Sequence, residues 1–231
     1  MRAAVFSAAL LVSACAGGSG VDFGGGDNYA SASALGAELP SADARALEPA
    51  FLQAVEKGGV GERFDWRGPS SFGWVKAREA CVGNLKADPY DCPPAAEGLA
   101  LDETYETEKG LFALTRNANL RTGPSTDFPS RGQLVSGTGV TVVGKVVGKP
   151  WMLVEVERTI VGYVHESLMV KAPGTELDLA GGPRRQATAC RRYEQRISYE
   201  GRSDLWEGVA CKEGGRWVVK PRPRDEPVKL L

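Results

Sequence analysis

The chain has 231 residues, a quarter of them charged, and its 28 Lys and Arg stand against 29 Asp and Glu. That near-neutral balance, with no dense basic stretch, argues against a nucleic-acid-binding surface, and the length allows one or two modest domains. A single histidine rules out a histidine pair for a metal site.

Charge is nonetheless unevenly placed. Acidic residues outnumber basic ones two to one over residues 16–110, and from Pro183 onward the basic residues are in excess. The basic end could touch an anionic polymer or lipid headgroups, or the two regions could attract each other within one fold.

At the start, Met1-Arg2 leads into an apolar run ending at Val12. This is the layout of a secretory signal peptide, and the run is too short to span a bilayer as a stable helix. Val12-Ser13-Ala14-Cys15 follows. It resembles the lipobox of bacterial lipoproteins. The resemblance implies a signal peptide over residues 1–14, with Cys15 as the lipidated N-terminus, held in the membrane by acyl chains such as palmitate. The plainer alternative is an ordinary signal cut after Ala14, with Cys15 incidental. Ala16 stands where an Asp commonly retains a lipoprotein at the inner membrane. The expected place is therefore the outer membrane, facing either the periplasm or the cell surface. No other segment has enough consecutive apolar residues to cross a membrane.

Residues 15–40 are rich in Gly, Ser and Ala without apolar periodicity, and read as a flexible tether. Ordered structure is expected from Ser41. Leu47, Phe51, Ala54 and Val55 share one helical face, and Gly58-Gly59 stops the helix. Pro49 either kinks this helix or begins its main part. Strands are expected at 63–67 and 72–76, around a turn at Gly68-Pro69-Ser70-Ser71. Residues 81–110 lose the pattern and read as a connector.

With Cys15 assigned to lipid, Cys81, Cys92, Cys190 and Cys211 remain, and in an exported chain they are expected as disulfides, with three possible pairings. Their spacing does not suit zinc.

From Leu111 the texture becomes short apolar strands separated by turn signals: 112–115, 118–121, 131–135, 139–147, 151–157 and 159–165. This spacing predicts a small barrel. Ala118-Asn119-Leu120-Arg121-Thr122-Gly123-Pro124-Ser125-Thr126, then Gly139-Val140-Thr141-Val142-Val143-Gly144, Trp151-Met152-Leu153-Val154 and Gly162-Tyr163-Val164-His165, stand in the order of the bacterial SH3-like domain. The segment 111–171 resembles that family, which implies a non-catalytic binding module, in cell-wall hydrolases one that targets peptidoglycan peptides. Trp151 and Tyr163 are candidates for an aromatic platform, with Arg121 and Phe128 as further ligand contacts. The competing reading packs both rings inside the barrel and has Arg121 bond loop carbonyls. Packing is the stronger reading for Trp151 and for Arg121, and Tyr163 fits either.

The flanks are expected to join. Ala46-Leu47-Glu48, Trp66-Arg67-Gly68-Pro69 and Gly73-Trp74-Val75, together with Cys190-Arg191-Arg192-Tyr193, Gly208-Val209-Ala210-Cys211 and Gly215-Arg216-Trp217, resemble the two halves of the rickettsial-type surface antigen family. Residues 41–80 plus 184–221 then form one discontinuous domain, with strands at 188–199, 202–211 and 216–220 and a loose tail at 222–231. The fold class expected is mostly β (α+β): a small SH3-like β-barrel inserted into an antiparallel sheet domain with one N-terminal helix. Around a two-residue turn at Glu200-Gly201, Cys190 faces Cys211 on a non-hydrogen-bonded pair, within disulfide range unless a bulge at Gly201 breaks the count. That makes Cys190–Cys211 the preferred bridge and leaves Cys81 with Cys92.

No catalytic motif is present. The lone His165 sits beside Glu166 as a solvated pair, and every Cys is assigned to lipid or disulfide. The expectation is an envelope lipoprotein with no enzymatic activity, no metal and no cofactor. Its partners would be the membrane through the lipid, peptidoglycan or its peptides through the barrel, and no nucleic acid. The alternatives are an assembly lipoprotein that binds an outer-membrane protein and, less favoured, a cell-wall hydrolase.

Overall fold

In the computed structural model, residues 29–84, 89–106, 110–172 and 186–220 are described. The expected signal peptide, Cys15 and the tail 222–231 lie outside the described residues.

A short helix, α1 (Ala34–Ala37), begins where Ser33 Oγ accepts from the Gly36 amide at 2.9 Å. The main helix, α2 (Ser41–Lys57), buries Leu47, Ala50, Phe51, Ala54 and Val55, the i, i+3, i+4 stripe of a helix lying on a core. It runs on through Pro49, so Pro49 does not start it. The ring lies on the exposed side, where its missing N–H can be tolerated. Residues 29–40 depart from the expected tether. Tyr29 stacks on Phe51 with ring centroids 4.1 Å apart, and Ala30 and Leu35 are buried. A few anchors packed onto α2 order this stretch without any periodic pattern.

The described strands are, in chain order, β1 (Arg63–Arg67), β2 (Ser71–Asn84), β3 (Tyr105–Glu106), β4 (Gly110–Leu114), β5 (Ala118–Arg121), β6 (Ser130–Leu134) and β7 (Gly139–Val146). They continue with β8 (Trp151–Val156), β9 (Thr159–His165), β10 (Met169–Lys171), β11 (Gln186–Tyr199), β12 (Arg202–Glu213) and β13 (Arg216–Lys220). The fold is mostly β, with every pair of these strands antiparallel and one main helix.

β1, β2, β11, β12 and β13 lie side by side as one sheet. Helix α2 packs on one face of it, against Trp66, Val75, Ala77, Tyr193 and Ile197. Asp43 in the first turn of α2 fastens the β1–β2 turn. Its carboxylate accepts from the amides and the hydroxyls of Ser70 and Ser71, at 2.6 to 3.0 Å. Burial raises the carboxyl pKa, but those hydrogen bonds outweigh it and hold the group below the usual range.

β2 runs well past the expected 72–76, so Cys81 lies in a strand and not in a loop. Arg78 and Glu79, mid-strand, disguise the extension in sequence, but pairing with β11 carries it to Asn84. Cys81 neighbours Cys190, and Cys190 neighbours Cys211, across three strands. The bridges are Cys81–Cys92 and Cys190–Cys211, with Cα separations of 5.8 and 4.0 Å. At the Glu200-Gly201 turn both residues have positive φ, 50° and 74°, as a type I′ hairpin turn requires, and no bulge disturbs the count to Cys211.

Asn84 pairs with Ala187, so the chain leaves and re-joins the sheet on neighbouring strands. The barrel lies between these points, with strand order β10-β4-β7-β8-β9-β5-β6. Phe112, Leu114, Val140, Val142, Met152, Val154 and Val164 fill its core. β3 pairs with both β11 and β7 and joins the two sheets.

Candidate functional site

On the barrel, β5 alternates buried Ala118 and Leu120 with outward Asn119 and Arg121. Asn119 is register partner to Gln133 on β6, whose side-chain amide donates to Asn119 Oδ1 at 3.4 Å. Trp151 on β8 faces His165 on β9, and their rings meet edge to face with centroids 5.4 Å apart. Asn117, Asn119, Arg121, Gln133, Trp151 and His165 border a shallow depression of about 250 Å³, closed at its rim by Thr126 and Leu168. Among these lining residues there is no carboxylate. Amides offer a donor and an acceptor each, which matches the alternating N–H and C=O of a peptide or the hydroxyls of a sugar.

The loop after β5 is held from inside. Arg121 Nη1 donates to the Phe128 carbonyl at 2.7 Å, and the Phe128 ring lies so close to Gly123 that a Cβ there would come within 2.4 Å of it. Gly123 is thus required by close approach.

The four candidate ligand contacts separate. Trp151 lines the depression but is only 7% exposed, so it offers an edge and not a platform. Arg121 both lines the depression and braces the loop. Phe128 is half-buried as part of that brace. Tyr163 is a correction: it is fully buried and cannot touch a ligand. Its hydroxyl donates to the Ala100 carbonyl at 2.6 Å and accepts from Tyr105 at 2.5 Å. Burial pushes both phenols well above the ordinary tyrosine pKa. The connector residues 95–105 cover the side of the barrel where Tyr163 lies, and sequence inspection could not place that cover.

Residues 116–170 match the bacterial SH3 domain. No curated protein and no solved structure matches the chain. The SH3 match takes in β5 to β10, and β4 just outside it completes the barrel by pairing with β7 and β10. Sequence reasoning missed Asn117, Asn119, Gln133 and His165. The alternation of β5 would have found Asn119, and the Trp151–His165 pairing follows from the β8–β9 hairpin. His165 Nδ1 accepts from the Ser167 amide at 3.3 Å, while Glu166 turns away to Lys145 at 2.5 Å. So His165 is not half of a solvated pair.

Among the described residues no group of three His, Cys, Asp or Glu is placed to hold a metal ion.

Proposed function

We propose that this chain is a lipid-anchored envelope protein whose SH3 domain holds peptidoglycan, through its stem peptides, in the Asn119–Gln133–His165 depression. The carrying observation is that depression: a carboxylate-free set of amides, one guanidinium and one indole edge on a domain of a family whose members often bind the cell wall. The lipobox-like Val12-Ser13-Ala14-Cys15 supports the anchor at the outer membrane, and the antigen-like flanks support an envelope location. The protein acts by binding and has no catalytic step.

The test is co-sedimentation of the purified protein with sacculi. Wild-type protein is expected in the pellet at low salt and N119A/Q133A in the supernatant; wild-type protein left in the supernatant would overturn the reading. Release of soluble fragments from the sacculi would overturn the non-catalytic part. Intact-mass analysis of the mature chain tests acylation of Cys15.

A second reading has its own support. Among the described residues β6 pairs with β5 alone and is exposed along nearly its whole length, an edge that a protein partner could extend by strand addition. Crosslinking from intact cells to an outer-membrane protein, with no retention on sacculi, would favour it.

A further inference from the structure

The face of the five-stranded sheet away from α2 carries a second depression. Because side chains alternate along each strand, the chain neighbours of buried Trp66, Val75 and Ile197 point the other way. Asp65, Trp74, Arg196 and Leu205 form one row across four strands, and Arg67, Phe72, Ser198 and Ser203 form the next. A hollow of about 490 Å³ opens over these rows, bounded by Arg63, Arg67, Arg196, Phe72 and Trp74.

Its cations are arranged, not merely present. The Arg63 guanidinium lies 5.2 Å from the centre of the Trp74 ring, and that of Arg67 5.2 Å from the centre of Phe72. Stacking on a ring fixes a guanidinium plane and leaves its N–H edges free for an anion. Arg63 is engaged by Asp65, and Arg196 Nε donates to Ser203 Oγ at 3.0 Å, leaving its terminal nitrogens. Arg67 meets no carboxylate within 4.0 Å among the described residues. Neighbouring Lys76 and Arg78 are answered by Glu194, at 2.9 and 3.3 Å. Three guanidiniums against the one carboxylate of Asp65 leave the hollow with an excess of two positive charges.

That excess selects the ligand. A phosphate monoester carries about −1.5 to −2 at neutral pH and a single carboxylate only −1. Phe72, 49% exposed, and Trp74 add an apolar shelf beside the cations, suited to the C–H face of a sugar ring.

We propose that this hollow binds a phosphorylated sugar, with the phosphate between Arg67 and Arg196 and the sugar ring packed beside them against the ring edges of Phe72 and Trp74. The same chemistry could reach it as a free sugar phosphate or as the sugar-phosphate headgroup of a glycolipid. The site is on a different sheet from the barrel depression and does not rest on the cell-wall reading.

The experiment is titration calorimetry of the full chain with glucose 1-phosphate, glucose and glucuronate. In parallel, phosphatidylcholine vesicles with and without a phosphorylated glucosamine lipid are tested by flotation. Glucose 1-phosphate is expected to bind more tightly than either other sugar by at least roughly tenfold, the value of one charged hydrogen bond. R67Q/R196Q should lose at least that factor while melting like wild type, since both side chains are exposed. Binding in solution assigns the free source, and binding only to the doped vesicles assigns the headgroup. Equal affinity for glucuronate, undiminished affinity in R67Q/R196Q, or no binding in either arm overturns the proposal.

Discussion

The Tyr105 hydroxyl donates to the Tyr163 hydroxyl, which donates in turn to the Ala100 carbonyl, so one buried relay ties the bridging strand, the connector and the barrel together. The two phenols are not equivalent. Y163F strips the half-buried Ala100 carbonyl of its donor and the buried Tyr105 hydroxyl of its acceptor. Y105F removes only a donor from a Tyr163 that keeps its own bond. We expect Y163F to cost about 1–3 kcal/mol and Y105F about 1 kcal/mol, measured by urea unfolding. The reverse order would show that the relay runs the other way.

Asp43 governs acid stability. Its folded pKa is depressed, so its contribution is fully present above the unfolded value near 3.9 and is lost as pH falls through the lower folded value. D43N cannot accept all four bonds and should cost about 1–3 kcal/mol at neutral pH. Melting temperatures followed from neutral pH down to strongly acidic buffer should converge for wild type and D43N.

G123A probes the brace under the barrel depression. A methyl group at 2.4 Å from the Phe128 ring must displace it, and with it the carbonyl that Arg121 holds. The expected cost is about 1–3 kcal/mol, the range for overpacking. Sacculus retention should fall as well, whereas G139A, at the exposed start of β7 with only an ordinary 3.7 Å contact to Leu111, should leave retention unchanged.

Removing either bridge should lower stability by about 3 kcal/mol on the loop-entropy estimate, since the bridges close loops of 11 and 21 residues. C81S/C92S and C190S/C211S should each melt roughly 6–12 °C below wild type for a chain of this size. Peptide mapping without reduction should return these two pairs and no others.

What could be read from the sequence followed its local signals. The Glu200-Gly201 turn set the hairpin register and hence the Cys190–Cys211 bridge, and alternating apolar residues located the strands at 118–121, 159–165 and 216–220 at their observed bounds. Long-range causes stayed hidden. Arg78 and Glu79 look like a loop until Glu194 and β11 lie beside them. Tyr29 looks like part of a tether until Phe51 receives its ring. Tyr163 looks like a surface aromatic until residues 95–105 close over it. The depression at Asn119 depends on β5 lying beside β9, a strand distant in sequence, which no local window displays.

The pairing of Asn84 with Ala187 has a consequence for how the chain reaches this state. During synthesis β1 and β2 are finished long before β11, their central partner, exists. Contacts of such long sequence separation form late, after loop-closure entropy has been overcome. The barrel strands, close in sequence, are favoured to organise first and to bring the two halves of the outer sheet into register. Until then β2 presents an unsatisfied edge and a Val75-Ala77 face to its surroundings, the kind of surface on which newly made chains associate. A truncation ending before Gln186 should therefore retain a folded barrel and aggregate through its orphaned half-sheet.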